Sequence, residues 1–233
     1  MQKFFSFDFN GKNHDAIVIA EDLSTLPSFV LIHGSGSGSK ERLLTYAETL
    51  SQRGISMLAF DQSGAGKDAE HIKQSSLQAR VEESKYAIEH FAAKEDLTIY
   101  GSSMGGEVAI RMTEFFPIKT LILFCPAIYD EAAFGVKFGE GFTDIIRMSE
   151  SWKKSHAPKL LEKFTGKLLI VIGEKDEVIP PGVIQILDEH SPNASKKEIL
   201  RIPGMGHYHY QQWFLEHPEI LQMVAEKFAE YVL

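Results

Sequence analysis

Gly101-Ser102-Ser103-Met104-Gly105 is a G-x-S-x-G pentapeptide, and Ser103 at its centre is the residue best placed to act as a nucleophile. The pentapeptide follows the apolar run Leu97–Tyr100 and opens a helical stretch, Met104–Phe116, that Pro117 ends. A sharp strand-to-helix turn of this kind holds its serine in a strained backbone conformation with the hydroxyl presented outward. Flanking glycines are required because side chains there would strike neighbouring backbone. The helix that follows aims free N–H groups at the serine, where they favour negative charge. Two later loops carry groups that could complete the chemistry. Gly173-Glu174-Lys175-Asp176-Glu177-Val178-Ile179-Pro180 follows the apolar run Lys167–Ile172, and Pro203-Gly204-Met205-Gly206-His207 follows Glu198–Ile202. As an acid, Asp176 competes with Glu174, Glu177 and the earlier Asp130; as a base, His207 competes with His209.

These loops need a scaffold that brings strand ends together. Short apolar runs bounded by Gly, Asp or Pro recur at Phe29–His33, Ile55–Asp61, Leu97–Tyr100, Thr120–Cys125, Lys167–Ile172 and Glu198–Ile202. They mostly lack polar alternation, the mark of strands buried on both faces in a parallel sheet covered by helices. Between them lie helical stretches at Lys40–Arg53, Ser75–Lys94, Met104–Phe116 and Leu215–Val232. A hairpin precedes the alternation, Lys3 to Asn10 and Asp15 to Ala20 around an Asn-Gly turn. The expected fold is α/β, a mostly parallel central sheet with helices on both faces, in one domain spanning residues 1–233. Residues 129–165 exceed what one crossover needs, and long insertions in compact domains are commonly lids or binding loops.

Taken together, the elbow at Ser103 and the two later loops resemble the α/β-hydrolase superfamily over essentially the whole chain. The resemblance implies Ser103 as nucleophile, Asp176 as acid and His207 as base, in the family's chain order. Phe29-Val30-Leu31-Ile32-His33-Gly34-Ser35-Gly36 resembles the family's oxyanion loop, which implies the backbone N–H groups of Ser35 and Met104 as oxyanion donors. Asp61-Gln62-Ser63-Gly64-Ala65-Gly66 resembles the family's D-x-x-G-x-G turn and reads as structural; Lys67 stands where serine is frequent. The implied activity is hydrolysis of a small carboxylic ester or thioester through an acyl-enzyme, needing neither metal nor organic cofactor. An aminopeptidase or amidase and a non-catalytic small-molecule-binding relative are the alternatives. For the amine-binding alternative, Glu131, Glu140 and Asp144 in the insertion are the candidate carboxylates.

Within the insertion, taken as a cap, Phe134, Phe138, Phe142, Ile145, Met148 and Trp152 could line an acyl site or form the cap's own core. Gly135, Gly139 and Gly141 would let the cap move. The remaining composition narrows the partners. With 24 basic and 32 acidic residues the net charge is −8, which disfavours nucleic acid and anionic membranes. Hydrophobic residues at 44% and charged residues at 24% describe a globular chain, and no apolar run approaches the ~18 residues of a membrane span. The single cysteine, Cys125, lies in an apolar run and reads as a buried, inert thiol. His207 and His209 lack a third ligand at metal-binding spacing. A cytoplasmic enzyme acting on a small acyl substrate is the expectation; its oligomeric state is left open.

Overall fold

Strands without polar alternation must be covered on both faces, and four of them are buried along their whole length: β3 (Phe29–Ile32), β4 (Met57–Phe60), β5 (Thr98–Ser102) and β6 (Thr120–Phe124). In the computed structural model, which describes residues 1–35 and 39–233, they join β1 (Gln2–Phe9), β2 (Lys12–Ile19), β7 (Lys167–Lys175) and β8 (Lys196–Gly206). The eight-stranded sheet has the order β1-β2-β4-β3-β5-β6-β7-β8. The expected hairpin forms at its edge: β1 pairs antiparallel with β2 and β2 antiparallel with β4, and every other pairing is parallel. From β3 the chain goes first to β4 on one side and then to β5 on the other. The crevice between the carboxyl ends of β3 and β5 is therefore a topological switch point, where open α/β sheets bind ligands.

The helices are α1 (Ala47–Ser51), α2 (Leu77–Phe91), α3 (Met104–Arg111), α4 (Phe142–Ile146), α5 (Ala157–Leu161), α6 (Pro181–Glu189), α7 (Tyr210–Glu216) and α8 (Pro218–Val232). Several differ from the expected spans for identifiable reasons. Ser76, not Ser75, caps α2, accepting the Ala79 N–H at 3.1 Å. The expected helix at 40–53 is a 3-10 segment, Lys40–Tyr46, followed by α1. The single C-terminal helix is two, because Pro218 cannot continue α7 and instead starts α8 at its first position. A further 3-10 segment, Gly66–Gln74, and α6 lie in stretches with no predicted element.

Residues 129–165 hold α4, α5 and two 3-10 turns. The segment docks on the start of α2: Phe138 N–H donates to Ser75 O at 2.9 Å, and Gly139 N–H to Lys73 O at 3.0 Å. A Cβ on Gly139 would lie 2.8 Å from Lys73 Cβ, so this glycine serves close approach. Behind the segment, Glu107 on α3 is buried and paired with Arg111 at 2.8 Å. Arg111 also pairs with Glu131, and its guanidinium lies 3.9 Å from the centre of the Phe134 ring.

Candidate active site

Ser103 sits at φ 51°, ψ −118°, between the end of β5 and the start of α3. This left-handed backbone is sparsely populated for a residue with a Cβ, and it persists because its surroundings fix it. Ser103 N–H donates to Phe124 O at 2.9 Å, while Ser103 O accepts from Gly106 N–H at 2.8 Å and Ala127 N–H at 2.9 Å. The flanking glycines have steric work. A Cβ on Gly101 would lie 2.6 Å from Ala109 Cβ, and one on Gly105 would lie 2.5 Å from Ile32 O and 2.6 Å from His33 O. The turn thus needs α3 pressed directly against β5 and β3.

Ser103 Oγ is 3.0 Å from His207 Nε2, and His207 Nδ1 is 2.8 Å from Asp176 Oδ2. The other carboxylate oxygen of Asp176 accepts the Val178 and Ile179 N–H groups, both at 2.9 Å. Burial pushes the Asp176 pKa up, but hydrogen bonds from His207, Ile179 and Val178 and the attraction of His207 hold it below the usual carboxylate value. An irregularity in the β7–β8 pairing between Gly173 and Lys175 falls at the base of both loops. Gly173 has no room for a side chain beside Met205 O, so β8 approaches closely where His207 leaves it.

The competing residues lie elsewhere. Glu174 accepts the Gly204 N–H at 3.0 Å, Asp130 caps a turn by accepting Ala132 N–H at 3.0 Å, and Glu177 is exposed. His209 is exposed, at φ 56°, and lines the cavity beside His207 without entering the chain of hydrogen bonds to Ser103. Cys125 lies close to Asp176 and His207; burial and the Asp176 charge push its thiol pKa far up, so it is an inert neighbour.

On the β3 side, a Cβ on Gly34 would lie 3.1 Å from Ser103 Cβ, so glycine lets this loop reach the serine. His33 is buried, and its pKa is brought down to about 3 by burial and then by the Arg80 charge. Held neutral, it donates from Nδ1 to Gly34 O at 2.7 Å and accepts the Gln62 N–H on Nε2 at 3.0 Å. Ser35 is exposed in the cavity lining, and Met104 begins α3 with the free N–H of a helix start. Gly36, the last residue of the segment that resembles the oxyanion loop, lies outside the described residues together with Ser37 and Gly38. Asp61 holds the far end of the same loop through the Lys40 N–H and Nζ, both at 2.7 Å. Lys67 pairs with Asp15 at 2.6 Å.

Arg80 has no counterpart among the expectations. Fully buried on α2, it donates to Gly34 O at 3.1 Å, to Met104 Sδ at 3.6 Å and to Ser63 O at 3.4 Å, while its Nε has no partner among the described residues. Burial brings its pKa down to about 10, so it stays charged at neutral pH. Its signal in the sequence is position: with Leu77, Val81, Ser84, Ala87 and Ile88 it falls on the buried stripe of α2.

The cavity beside Ser103 has a volume of about 400 Å³, within the range of small-molecule sites. Among the described residues its lining includes none from 129–165. Phe134, Phe138, Phe142, Met148 and Trp152, expected either to line an acyl site or to form the cap's own core, are thus not among its described lining residues. Phe142 is buried and Phe134 and Phe138 partly so, in a separate cluster with Leu77, Met104 and Ala133. Met148 is exposed, and Trp152 covers Gly182 on α6. Aromatic spacing in the insertion marked a core of its own, centred on its contact with α2 and α3.

An eight-stranded, mostly parallel sheet of this order, with helices and a strand-to-helix serine turn at the switch point, defines an α/β-hydrolase. The chain belongs to the family described as serine aminopeptidase, S33, which matches residues 26–160. It is 25% identical over 183 residues to protein bem46 of Schizosaccharomyces pombe, covering 76% of this chain and spanning 60% of that relative's length. Its fold is similar to that of a predicted CIB-like hydrolase from Thermoplasma acidophilum, at 19% identity and TM-score 0.68, covering 99% of each chain. It is also similar to Est1E from Butyrivibrio proteoclasticus with ferulic acid bound, at 21% identity and TM-score 0.71, covering 98% of this chain and 99% of that one.

Proposed function

We propose that the protein is a serine carboxylic-ester hydrolase working through an acyl-enzyme, with Ser103 as nucleophile, His207 as general base and Asp176 as the orienting acid. The observation that carries this reading is the unbroken chain from Ser103 Oγ through His207 to Asp176, at 3.0 Å and 2.8 Å. His207 Nε2 takes the hydroxyl proton as Ser103 Oγ attacks the acyl carbonyl, and Asp176 holds the Nδ1–H tautomer and stabilises the imidazolium. The N–H groups of Met104 and Ser35 receive the oxyanion; losing one such donor typically costs about 10²–10³ in rate. His207 returns the proton to the leaving alcohol, and water repeats the sequence to release the acid.

Hydrolysis of p-nitrophenyl esters from acetate to dodecanoate, with wild type beside Ser103→Ala, tests this. Turnover and fluorophosphonate labelling that both vanish in the variant support the reading, the loss being on the order of 10⁶ by analogy with other triad serines. A wild type that neither turns over esters nor takes the label overturns it. The family description favours a second reading, an aminopeptidase, which a panel of aminoacyl amides separates from the first. Against it, the described cavity lining contains no carboxylate to receive a substrate ammonium. Of the candidate carboxylates, Glu131 is paired with Arg111, Glu140 with Lys137, and Asp144 lies on α4, away from that lining.

A further inference from the structure

The hydrogen bonds described for the buried Arg80 all go to neutral acceptors: Gly34 O at 3.1 Å, Met104 Sδ at 3.6 Å and Ser63 O at 3.4 Å. Glu83, three residues on along α2, attracts the guanidinium electrostatically, while its carboxylate accepts the Ser63 N–H at 2.9 Å. Phe138 from the insertion lies beneath it, with Cζ 5.1 Å from the ring centre. Burying a guanidinium without a bidentate carboxylate is costly, and an apolar side chain of similar volume would suit the packing better. What distinguishes the arginine is the set of atoms it reaches.

Gly34 O is held by two donors, Arg80 Nη1 at 3.1 Å and His33 Nδ1 at 2.7 Å. A trans peptide is planar, with its C=O and N–H pointing in opposite directions, and no described peptide bond is cis. The oxygen of the Gly34–Ser35 peptide is turned toward Arg80, which lies outside the cavity lining, so the Ser35 N–H is turned the other way. Among the described residues nothing accepts that N–H. The peptide also lies close to the serine, since a Cβ on Gly34 would be 3.7 Å from Ser103 Oγ. Met104, whose N–H is the other proposed oxyanion donor, meets the same Nη1 through its sulfur.

We propose that Arg80 is the positioning residue of the oxyanion hole: it orients the Gly34–Ser35 peptide so that the Ser35 N–H faces the reacting carbonyl, and its charge strengthens that donor. This rests on the ester-hydrolase reading. A charged donor on a peptide oxygen polarises the whole peptide, and hydrogen bonds in series reinforce one another. Arg80 therefore acts on the developing oxyanion through one intervening peptide and touches no reacting atom.

The test measures kcat and KM of wild type, Arg80→Met and Arg80→Lys on the best p-nitrophenyl ester of the panel, per active site counted by fluorophosphonate labelling taken to completion. Inhibition by a trifluoromethyl alkyl ketone is the second readout, because addition of Ser103 Oγ to its carbonyl, with the proton passing to His207, leaves an oxyanion in the same place. In Arg80→Met, kcat per site should fall about tenfold to a hundredfold, less than the ~10²–10³ of losing a donor outright, with KM within about threefold. The inhibition constant of the ketone should rise by a similar factor. Arg80→Lys, which keeps the charge but not the fork, should lose about fivefold to tenfold, and it carries the comparison where Arg80→Met does not fold. A merely structural role would lower the number of labelled sites and the urea midpoint while leaving kcat per site unchanged. A kcat per site within about threefold of wild type in Arg80→Met, or in Arg80→Lys where it alone folds, overturns the proposal, as does a loss confined to KM. If the wild type takes the label without turning over esters, the ester reading fails and the rate of inactivation by the fluorophosphonate carries the same comparison. A wild type that does neither removes both.

Discussion

Gly105→Ala is the sharpest test of how the proposed nucleophile, Ser103, is held. The added methyl would sit 2.5 Å from Ile32 O and 2.6 Å from His33 O, both backbone atoms in or directly after a strand buried at the centre of the sheet. Neither can swing aside as a side chain would. Restoring an ordinary 3.4 Å contact from 2.5 Å requires α3 to retreat from β3 by about 0.9 Å. Overpacking of this kind costs about 1–3 kcal/mol. The same displacement carries Met104 N–H and Ser103 away from Gly34 and His207, and misplacement by about 1 Å costs on the order of 10² in rate. Urea unfolding gives the first quantity; the second follows from p-nitrophenyl ester turnover and the rate of fluorophosphonate inactivation. Gly135→Ala is the control, because its methyl would meet only the end of the Gln78 side chain, at 3.3 Å. If Gly105→Ala unfolds within 0.5 kcal/mol of wild type (about the error of such measurements) and reacts within about threefold, the close approach of α3 to β3 does not position the serine.

Asp176→Asn should keep the fold and lower kcat by about 10⁴, because the amide favours the wrong histidine tautomer; a loss below tenfold would remove Asp176 from the proposed triad. Arg111→Met strands the Glu107 carboxylate, whose burial already raises its pKa against the pull of Arg111, and should cost about 3–5 kcal/mol in chemical unfolding. Because that carboxyl then has a folded pKa above its unfolded one, the deficit should shrink as pH falls, and a deficit constant from pH 8 to 5 contradicts this. His33 has the opposite linkage. Its folded pKa of about 3 lies below the unfolded value near 6.5, so its stabilising contribution is full above that pH and falls by about 1.4 kcal/mol per unit below it. The slope of unfolding free energy between pH 6 and 5 should therefore be shallower by that amount in a folded His33→Gln variant.

Much of the scaffold was legible because burial on both faces leaves a plain mark on short segments. The runs at 29–33, 97–100 and 120–125 each became a central parallel strand within two residues at either end, and the run at 167–172 became one that extends three residues further, to Lys175. Helix limits were harder where the backbone is tight: Lys40–Tyr46 has helical spacing yet winds as 3-10, a distinction of hydrogen-bond geometry that periodicity does not carry. The expected site residues Ser103, Asp176 and His207 meet because each sits at a strand's carboxyl end, a position that chain order alone displays. Arg80 was invisible for the opposite reason. Its importance lies in what surrounds the guanidinium, namely Gly34, Ser63 and Met104, and those neighbours come from three segments far apart in the chain. The aromatic residues of 129–165 show the limit of composition: Phe134, Phe138 and Phe142 suit a binding wall and a small core equally, and only their contacts with Leu77 and Met104 decide.

Ser103 and His207 are separated by 104 positions, and the strand that delivers the histidine is the last in the chain and lies at the edge of the sheet. A chain emerging from the ribosome therefore displays its serine turn long before it owns a base. In the proposed mechanism, until β8 seats beside β7 the hydroxyl has no proton acceptor of this kind. Competence in that mechanism requires the docking of this edge strand, so recovery of reactivity toward a fluorophosphonate after dilution from urea cannot precede it. The same arrangement makes the edge a point of failure: loosening β8 would silence the site while the central strands and the elbow stay in place.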